Sequence, residues 1–169
     1  MTRIGQAAML LHGGDREEAR NRFGALWTEI GEAGDPLHRC TLAHYMADTQ
    51  DDPGDELAWD LRALTAADGM EGLYGDGGED GDGGKSGRAD GEQPTPTGSG
   101  PAGSAPAVRA FYPALHLNLA VDYMKLQRPD AARLHLDRAR DAADALGEDG
   151  YGHAVRAGID RLERRLRER

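Results

Sequence analysis

The amino-acid sequence predicts an all-α protein. Apolar residues recur three and four positions apart along several segments, as they do on the buried face of a helix. Capping residues and prolines stand where these segments begin, and glycines stand where most of them end. No segment shows the sustained alternation of apolar and polar residues that marks a strand. Together these patterns predict helices joined by short turns.

The first two helices are predicted within the first 34 residues. One spans residues 3–12 and ends at a pair of glycines. The next is capped by Asp15, and Glu18 completes a capping box with it. Gly31 or Gly34 ends this second helix. The residues expected inside are Ile4, Ala7, Ala8, Leu11, Ala19, Phe23, Leu26, Trp27 and Ile30.

The third and fourth helices each begin at an aspartate followed by proline. Asp35-Pro36 and Asp52-Pro53 place an N-cap before a first helical residue that needs no N–H donor. The pattern of the fourth helix stops after Gly69. The residues expected inside are Leu37, Thr41, Leu42, Tyr45 and Met46 on the third helix, and Leu57, Leu61 and Leu64 on the fourth, with Trp59 beside them.

Residues 70–106 form a segment rich in Gly, Asp and Pro. Beyond Leu73 and Tyr74 it has almost no large apolar residue, and most of the chain's 24 glycines fall in or beside it. Such a segment buries too little apolar surface to offset the entropy of ordering its backbone. We therefore predict a disordered insertion within one domain.

Three more helices are predicted after the insertion, over 107–126, 129–146 and about 151–168. Pro129 opens the second of them and Gly147 ends it. The expected buried residues are Leu115, Leu119, Ala120, Tyr123, Leu126, Ala132, Leu136, Ala139, Val155, Ile159, Leu162 and Leu166. Residues 1–69 thus hold two helix pairs, and 107–169 hold a third pair and a final helix.

The helical segments repeat. Pro36 and Ala43 correspond to Pro113 and Ala120 at one offset, about 77 residues, of which the insertion takes about 37. The remainder falls in the range of helical-hairpin repeats. Ala7 precedes Ala43 by about the same interval, which gives a third copy.

The repeated unit resembles the tetratricopeptide repeat (TPR). That family has a small residue, a large apolar residue three positions later, a turn glycine, and then alanine, a large apolar residue and alanine on the second helix. The first unit matches with Ala7, Leu10, Gly14, Ala19 and Phe23, and has Leu26 at the last position. The last unit matches with Ala120, Tyr123, Ala132, Leu136 and Ala139, and has Gln127 at the glycine position. The middle unit departs from the pattern after Ala43 and Met46, with a shorter turn and Leu57, Leu61 and Leu64.

The resemblance implies a right-handed stack of three antiparallel helix pairs, closed by a C-terminal capping helix. It also implies a non-catalytic module that binds a peptide or helix of another protein in a concave groove, which the first helix of each pair lines. The polar groove residues would be Arg39, His44, Asp48, His116, Asn118, Asp122 and Lys125. The repeat register sets Arg39 opposite His116 and Asp48 opposite Lys125. The alternative is that these are ordinary exposed polar residues.

Two other functions remain open. One is a helical small-molecule-binding or enzymatic domain that uses His44 and His116 as acid and base. The other is a structural module that associates with a second copy of the chain. A metal site at His38, Cys40 and His44 is not expected, because His38 and Cys40 lie about 200° apart around a helix. Cys40 is expected to be a buried, inert thiol, and no cofactor is expected.

The charge excludes other classes of partner. A formal net charge of −10 does not suit binding to nucleic acid or to an anionic membrane. No apolar run reaches the length of a membrane span, and the single cysteine forms no intramolecular disulfide. These features predict a cytoplasmic protein.

Overall fold

A computed structural model describes residues 2–74 and 109–168, of which 71–74 are described by their backbone alone. Within those ranges the chain forms seven α-helices and a short 3₁₀ helix, and no strand. The prediction of an all-α fold is confirmed. No helix in the described part of the chain is both long enough and apolar enough to span a membrane.

The helices begin close to the predicted caps. Asp15, Asp35 and Asp52 each accept a hydrogen bond from a backbone N–H in the first turn that follows, and Asp149 caps the last helix in the same way. The bounds are α1 Thr2–His12, α2 Arg16–Ile30, α3 Pro36–Asp48, α4 Pro53–Tyr74, α5 Tyr112–Lys125, α6 Pro129–Asp141, the 3₁₀ helix Ala142–Ala145 and α7 Gly150–Arg167.

Helix α4 is longer than the sequence indicated. It continues through Gly69 to Tyr74, where we predicted a stop. Met70 explains the extension, because its side chain is 1% exposed in the core beside α3 and α5. Burying a methionine contributes about 1.5–3 kcal/mol, which is comparable to the cost, about 1 kcal/mol each, of the two glycines Gly69 and Gly72 inside the helix. Residues 75–106 of the predicted insertion lie outside the described residues.

The predicted buried face of α4 is wrong. Leu61 is 38% exposed, and Leu57 and Leu64 are only partly covered. Helix α4 packs against both α3 and α5, so its inner face carries small side chains that let the backbones approach. The buried residues of this face are Asp60, Ala63, Ala67 and Met70.

Each helix from α1 to α6 packs on the next one along the chain, and α7 lies against α5 and α6. The core has three clusters in the same order. Phe23 is buried where α1, α2 and α3 meet, Cys40 and Met70 where α3, α4 and α5 meet, and Leu136 and Ile159 among α5, α6 and α7. The core therefore runs along the whole row of helices.

The α1–α2 and α5–α6 turns share one geometry. Gly14 and Gln127 occupy the same place in them and have φ values of 91° and 58°. In both turns the N–H of the next residue donates to the carbonyl five residues back. Asp15 N–H lies 2.9 Å from the Leu10 carbonyl oxygen, and Arg128 N–H lies 2.8 Å from that of Tyr123. A left-handed residue in this position favours glycine, so Gln127 adopts a conformation that costs it energy.

Candidate functional site

A cavity of about 200 Å³ lies between α3 and α5, beside the start of α7; we call it the α3–α5 cleft. Its walls combine apolar side chains with a few polar groups, as binding sites for side chains and small molecules commonly do. The apolar walls include Phe111, Ala114 and Leu115, and the polar groups are Thr41, His44, Tyr45, Asn118 and Tyr151.

One polar pair joins the two walls. His44 Nδ1 on α3 lies 3.1 Å from Asn118 Nδ2 on α5, and 3.7 Å from Asp60 Oδ1 on α4. Burial lowers the pKa of His44, but the polar contact with Asp60 and the charges of Asp48 and Asp60 outweigh burial and leave the pKa raised. A carboxyl group of a third helix thus lies beneath the pair, beyond hydrogen-bond distance of His44 Nδ1.

Beneath the cleft, two carboxyl groups are buried against each other. Asp60 on α4 is 2% exposed and Asp122 on α5 is 1% exposed. Two carboxylates this close cannot both ionise without a large cost. Burial raises the pKa of Asp122 to about 8, and the charges of Asp60 and Glu56 and a hydrogen bond with Asp60 act in the same direction, while Lys125 opposes them. Asp122 therefore keeps a proton at neutral pH, which it can donate to Asp60.

An ion pair closes the outer side of this cluster. Lys125 Nζ lies 2.6 Å from Glu56 Oε2, across the contact between α4 and α5, and 3.5 Å from Asp122 Oδ1. We call Asp48, Glu56, Asp60 and Asp122, with His44 and Lys125, the carboxyl cluster. Its four carboxyl groups exceed its two basic groups, and this excess adds to burial in favouring a retained proton.

The structure brings five of the seven predicted groove residues into this region. His44 and Asn118 line the cleft, and Asp48, Asp122 and Lys125 belong to the carboxyl cluster. Asp122 needs a correction, because we expected it to face outward and it is buried. It lies one helical turn after Asn118, on the side of α5 that packs on α4.

Arg39 and His116 do not line the cleft, and each has contacts on another helix. The Arg39 guanidinium carbon lies 4.6 Å from the centroid of the Trp27 ring, and the side chain donates to the Gly31 carbonyl at the end of α2. His116 Nδ1 faces α6, at 3.1 Å from His135 Nδ1. The predicted groove therefore divides into three separate places.

The His116–His135 pair is a feature that the sequence analysis missed. Burial, with His135 and Arg138 nearby, lowers the pKa of His116 to about 4, and burial and Arg138 also lower the pKa of His135. Two neutral imidazoles fit this contact, because one ring nitrogen donates while the other accepts. His135 lies between Ala132 and Ala139 on the buried face of α6, and that position was the available signal.

Cys40 behaves as the sequence predicted. Its thiol is buried, and burial, together with the charge of Asp60, raises its pKa to about 12. A thiol that remains protonated is neither a good nucleophile nor a good metal ligand. Among the residues that the structure describes, no three His, Cys, Asp or Glu side chains are placed to hold a metal ion.

Asp60, Phe111 and Tyr151 were not among the predicted site residues. Asp60 shares the buried face of α4 with Ala63, Ala67 and Met70, which the sequence analysis did not choose as the inner face. Phe111 and Tyr151 precede and open helices, and only the fold brings them beside α3.

Comparison with known proteins gives no relative. No protein-family model, no curated protein and no solved structure matches this chain. The resemblance to TPR units therefore rests on the residues of the chain itself, and function has to be inferred from geometry.

Proposed function

We propose that the protein is a non-catalytic binding module that holds a peptide segment of another protein in the α3–α5 cleft. The observation that carries this proposal is the His44–Asn118 pair, which joins the two walls of the cleft at 3.1 Å above the buried Asp60. Polar groups held in place before binding lose little entropy when a ligand arrives. Tyr151, which is 48% exposed at the rim, adds a flat amphipathic surface of the kind that peptides contact.

We further propose that the helices form a TPR-like right-handed stack of three pairs closed by α7. Three features support it. The helices pack in chain order, the α1–α2 and α5–α6 turns share one hydrogen-bond geometry, and the small residues Ala7, Ala120 and Ala132 are fully buried where the family pattern has small residues. In such a stack α3 and α5 are the first helices of neighbouring pairs, so the cleft lies on the concave face.

Binding is favoured over acid–base catalysis by the placement of the histidines. His44 lines the cleft, whereas His116 contacts His135 and Tyr112. Cys40 lies at the cleft as a thiol whose pKa is about 12, so it supplies no thiolate at neutral pH. What the cleft does offer is an amide and an imidazole for a peptide backbone, and apolar walls for one side chain.

The test is a selection from a displayed library of random peptides, followed by titration of the enriched peptides. We expect Asn118→Ala and Tyr151→Ala each to weaken binding about tenfold or more, which is about 1.4 kcal/mol or more. Asn21→Ala is the matched control, because Asn21 is exposed on α2 and away from the cleft. Peptides that bind all three variants as tightly as the unchanged protein would place recognition elsewhere.

A further inference from the structure

A second cavity, of about 450 Å³, lies between the end of α2, the start of α3 and the second half of α4. It shares no lining residue with the α3–α5 cleft. Trp27, Arg39, Arg62 and Ala66 contribute to its walls, and Glu32 also lines it. Its volume falls in the range of sites for small organic ligands.

Two arginines are braced beside this cavity by two tryptophans. Trp27 and Trp59 meet edge to face, with ring centroids 5.1 Å apart and planes at 87°. The guanidinium carbon of Arg39 lies 4.6 Å from the Trp27 centroid, and that of Arg62 lies 4.6 Å from the Trp59 centroid. Stacking of this kind fixes the guanidinium planes and leaves their edges available for hydrogen bonds.

Among the residues that the structure describes, most of the donors on both guanidinium groups have no acceptor. Arg39 donates to the Gly31 carbonyl, and Arg62 Nη1 donates to the Ala58 carbonyl at 3.0 Å. A guanidinium group has five N–H donors. Within the described ranges, neither group lies within 4.0 Å of a carboxylate. Glu32 is exposed, where solvent screens its charge, and it forms no ion pair with either arginine in that part of the chain.

We propose that this cavity binds a small organic anion through a carboxylate or phosphate group, held by Arg39 and Arg62. A carboxylate and a phosphate each present two oxygens at the spacing that a guanidinium group matches with two parallel hydrogen bonds. The protein as a whole, with a net charge of −10, repels anions. Saturable binding of an anion would therefore report a local site and not general attraction to the surface.

The site carries its own reporter. Trp27 and Trp59 are the two tryptophans of the chain, so all of its tryptophan fluorescence comes from beside this cavity. Inorganic phosphate and succinate are titrated separately against chloride at constant ionic strength. Calorimetry on the same samples detects binding that leaves the fluorescence unchanged. A response to phosphate alone identifies a phosphate site, a response to succinate alone a carboxylate site, and a response to both a general oxyanion site.

The variants are Arg39→Gln and Arg62→Gln, with Arg133→Gln as the matched control on α6. We expect the dissociation constant to rise about tenfold or more in each of the first two, and to be unchanged in the control. Arg39 also caps α2, so circular dichroism checks that this variant folds. Arg62 is exposed, and its variant decides the matter alone if the other does not fold.

Two results would overturn the proposal. One is the absence of saturable binding of either anion up to roughly 30 mM, well above a millimolar dissociation constant. The other is binding that Arg62→Gln leaves unchanged. Because the two cavities share no residue, either result leaves peptide binding in the α3–α5 cleft unaffected.

Discussion

The buried carboxyl groups of Asp60 and Asp122 predict that the protein loses stability as the pH rises. The pKa of Asp122 is about 8 in the folded protein, against an ordinary value of 3.8. Between these values the folded state keeps a proton that the unfolded state has released, so the free energy of unfolding falls with increasing pH. The loss is complete above about pH 8 and absent below pH 3.8.

The difference between those two values sets the magnitude. At about 1.36 kcal/mol per pH unit it amounts to about 6 kcal/mol. This is an upper limit, because water entry or a small shift of α4 against α5 relieves part of the repulsion. Glu56 and Asp60 on α4 face Asp122 with negative charge and Lys125 faces it with positive charge, while His44 and Asp48 on α3 face Asp60.

Asp122→Asn removes the titrating group and keeps its shape, with an amide N–H that can donate to Asp60. Near pH 8 we expect this variant to be several kcal/mol more stable than the unchanged protein, with about 6 kcal/mol as the limit. Near pH 4 the two should agree to within about 1 kcal/mol, the contribution of one hydrogen bond.

The assay is urea unfolding followed by far-ultraviolet circular dichroism across this pH range. Asp137→Asn is the matched control, because Asp137 is exposed on α6 and pairs there with Arg140. Loss of that pair should change stability by about 1 kcal/mol or less at every pH. If Asp122→Asn follows the unchanged protein at both ends of the range, or is less stable near pH 8, the retained proton is refuted.

Three further predictions concern the C-terminal helices. Gln127→Gly should stabilise the protein by about 0.5–1 kcal/mol in thermal melting, because φ is 58° there, whereas Arg128→Gly, at φ −112°, should destabilise it. Ala132→Leu should lower the free energy of unfolding in urea by about 1–3 kcal/mol, because Ala132 is fully buried. The imidazole resonances of His116 should titrate near pH 4. The His135→Phe variant should raise the pKa of His116, because His135 contributes to lowering it. Titration of His116 near pH 6.5 in the unchanged protein would contradict a buried neutral pair. The folded state favours the neutral form of His116, so this stability is present above pH 6.5 and is lost as the pH falls towards 4.

The sequence specified helix starts well, because capping is local. Asp35 is followed by proline and accepts from the N–H three residues on, as predicted. The inner face of α4 was not predictable from hydrophobicity, because close approach to two neighbours selects Ala63 over Leu61, and a buried Asp60 runs against every apolar pattern. The continuation through Gly69 also depends on a partner distant in the chain, Leu115.

The candidate site was predictable where it follows the repeat register. His44 on α3 and Asn118 on α5 were both predicted for the groove, and they meet. Arg39 has the same kind of position, but its contacts are Trp27 and the end of α2, which the register does not encode. The burial of Asp122 depends on which side of α5 packs on α4, and the sequence pattern does not specify that side.

The packing of α4 on α5 also makes the chain a candidate for division into two fragments. The chain passes from Tyr74 to Arg109 between these helices, whose contact includes the Lys125–Glu56 ion pair and the buried Asp122. Cleaved in that stretch, the protein would become a heterodimer held by the contacts of α5 with α4 and α3. Association of the fragments would take up a proton as Asp122 is buried. The two fragments would therefore associate more tightly in mild acid than in base. The pH dependence of their affinity would come from the single carboxyl group of Asp122.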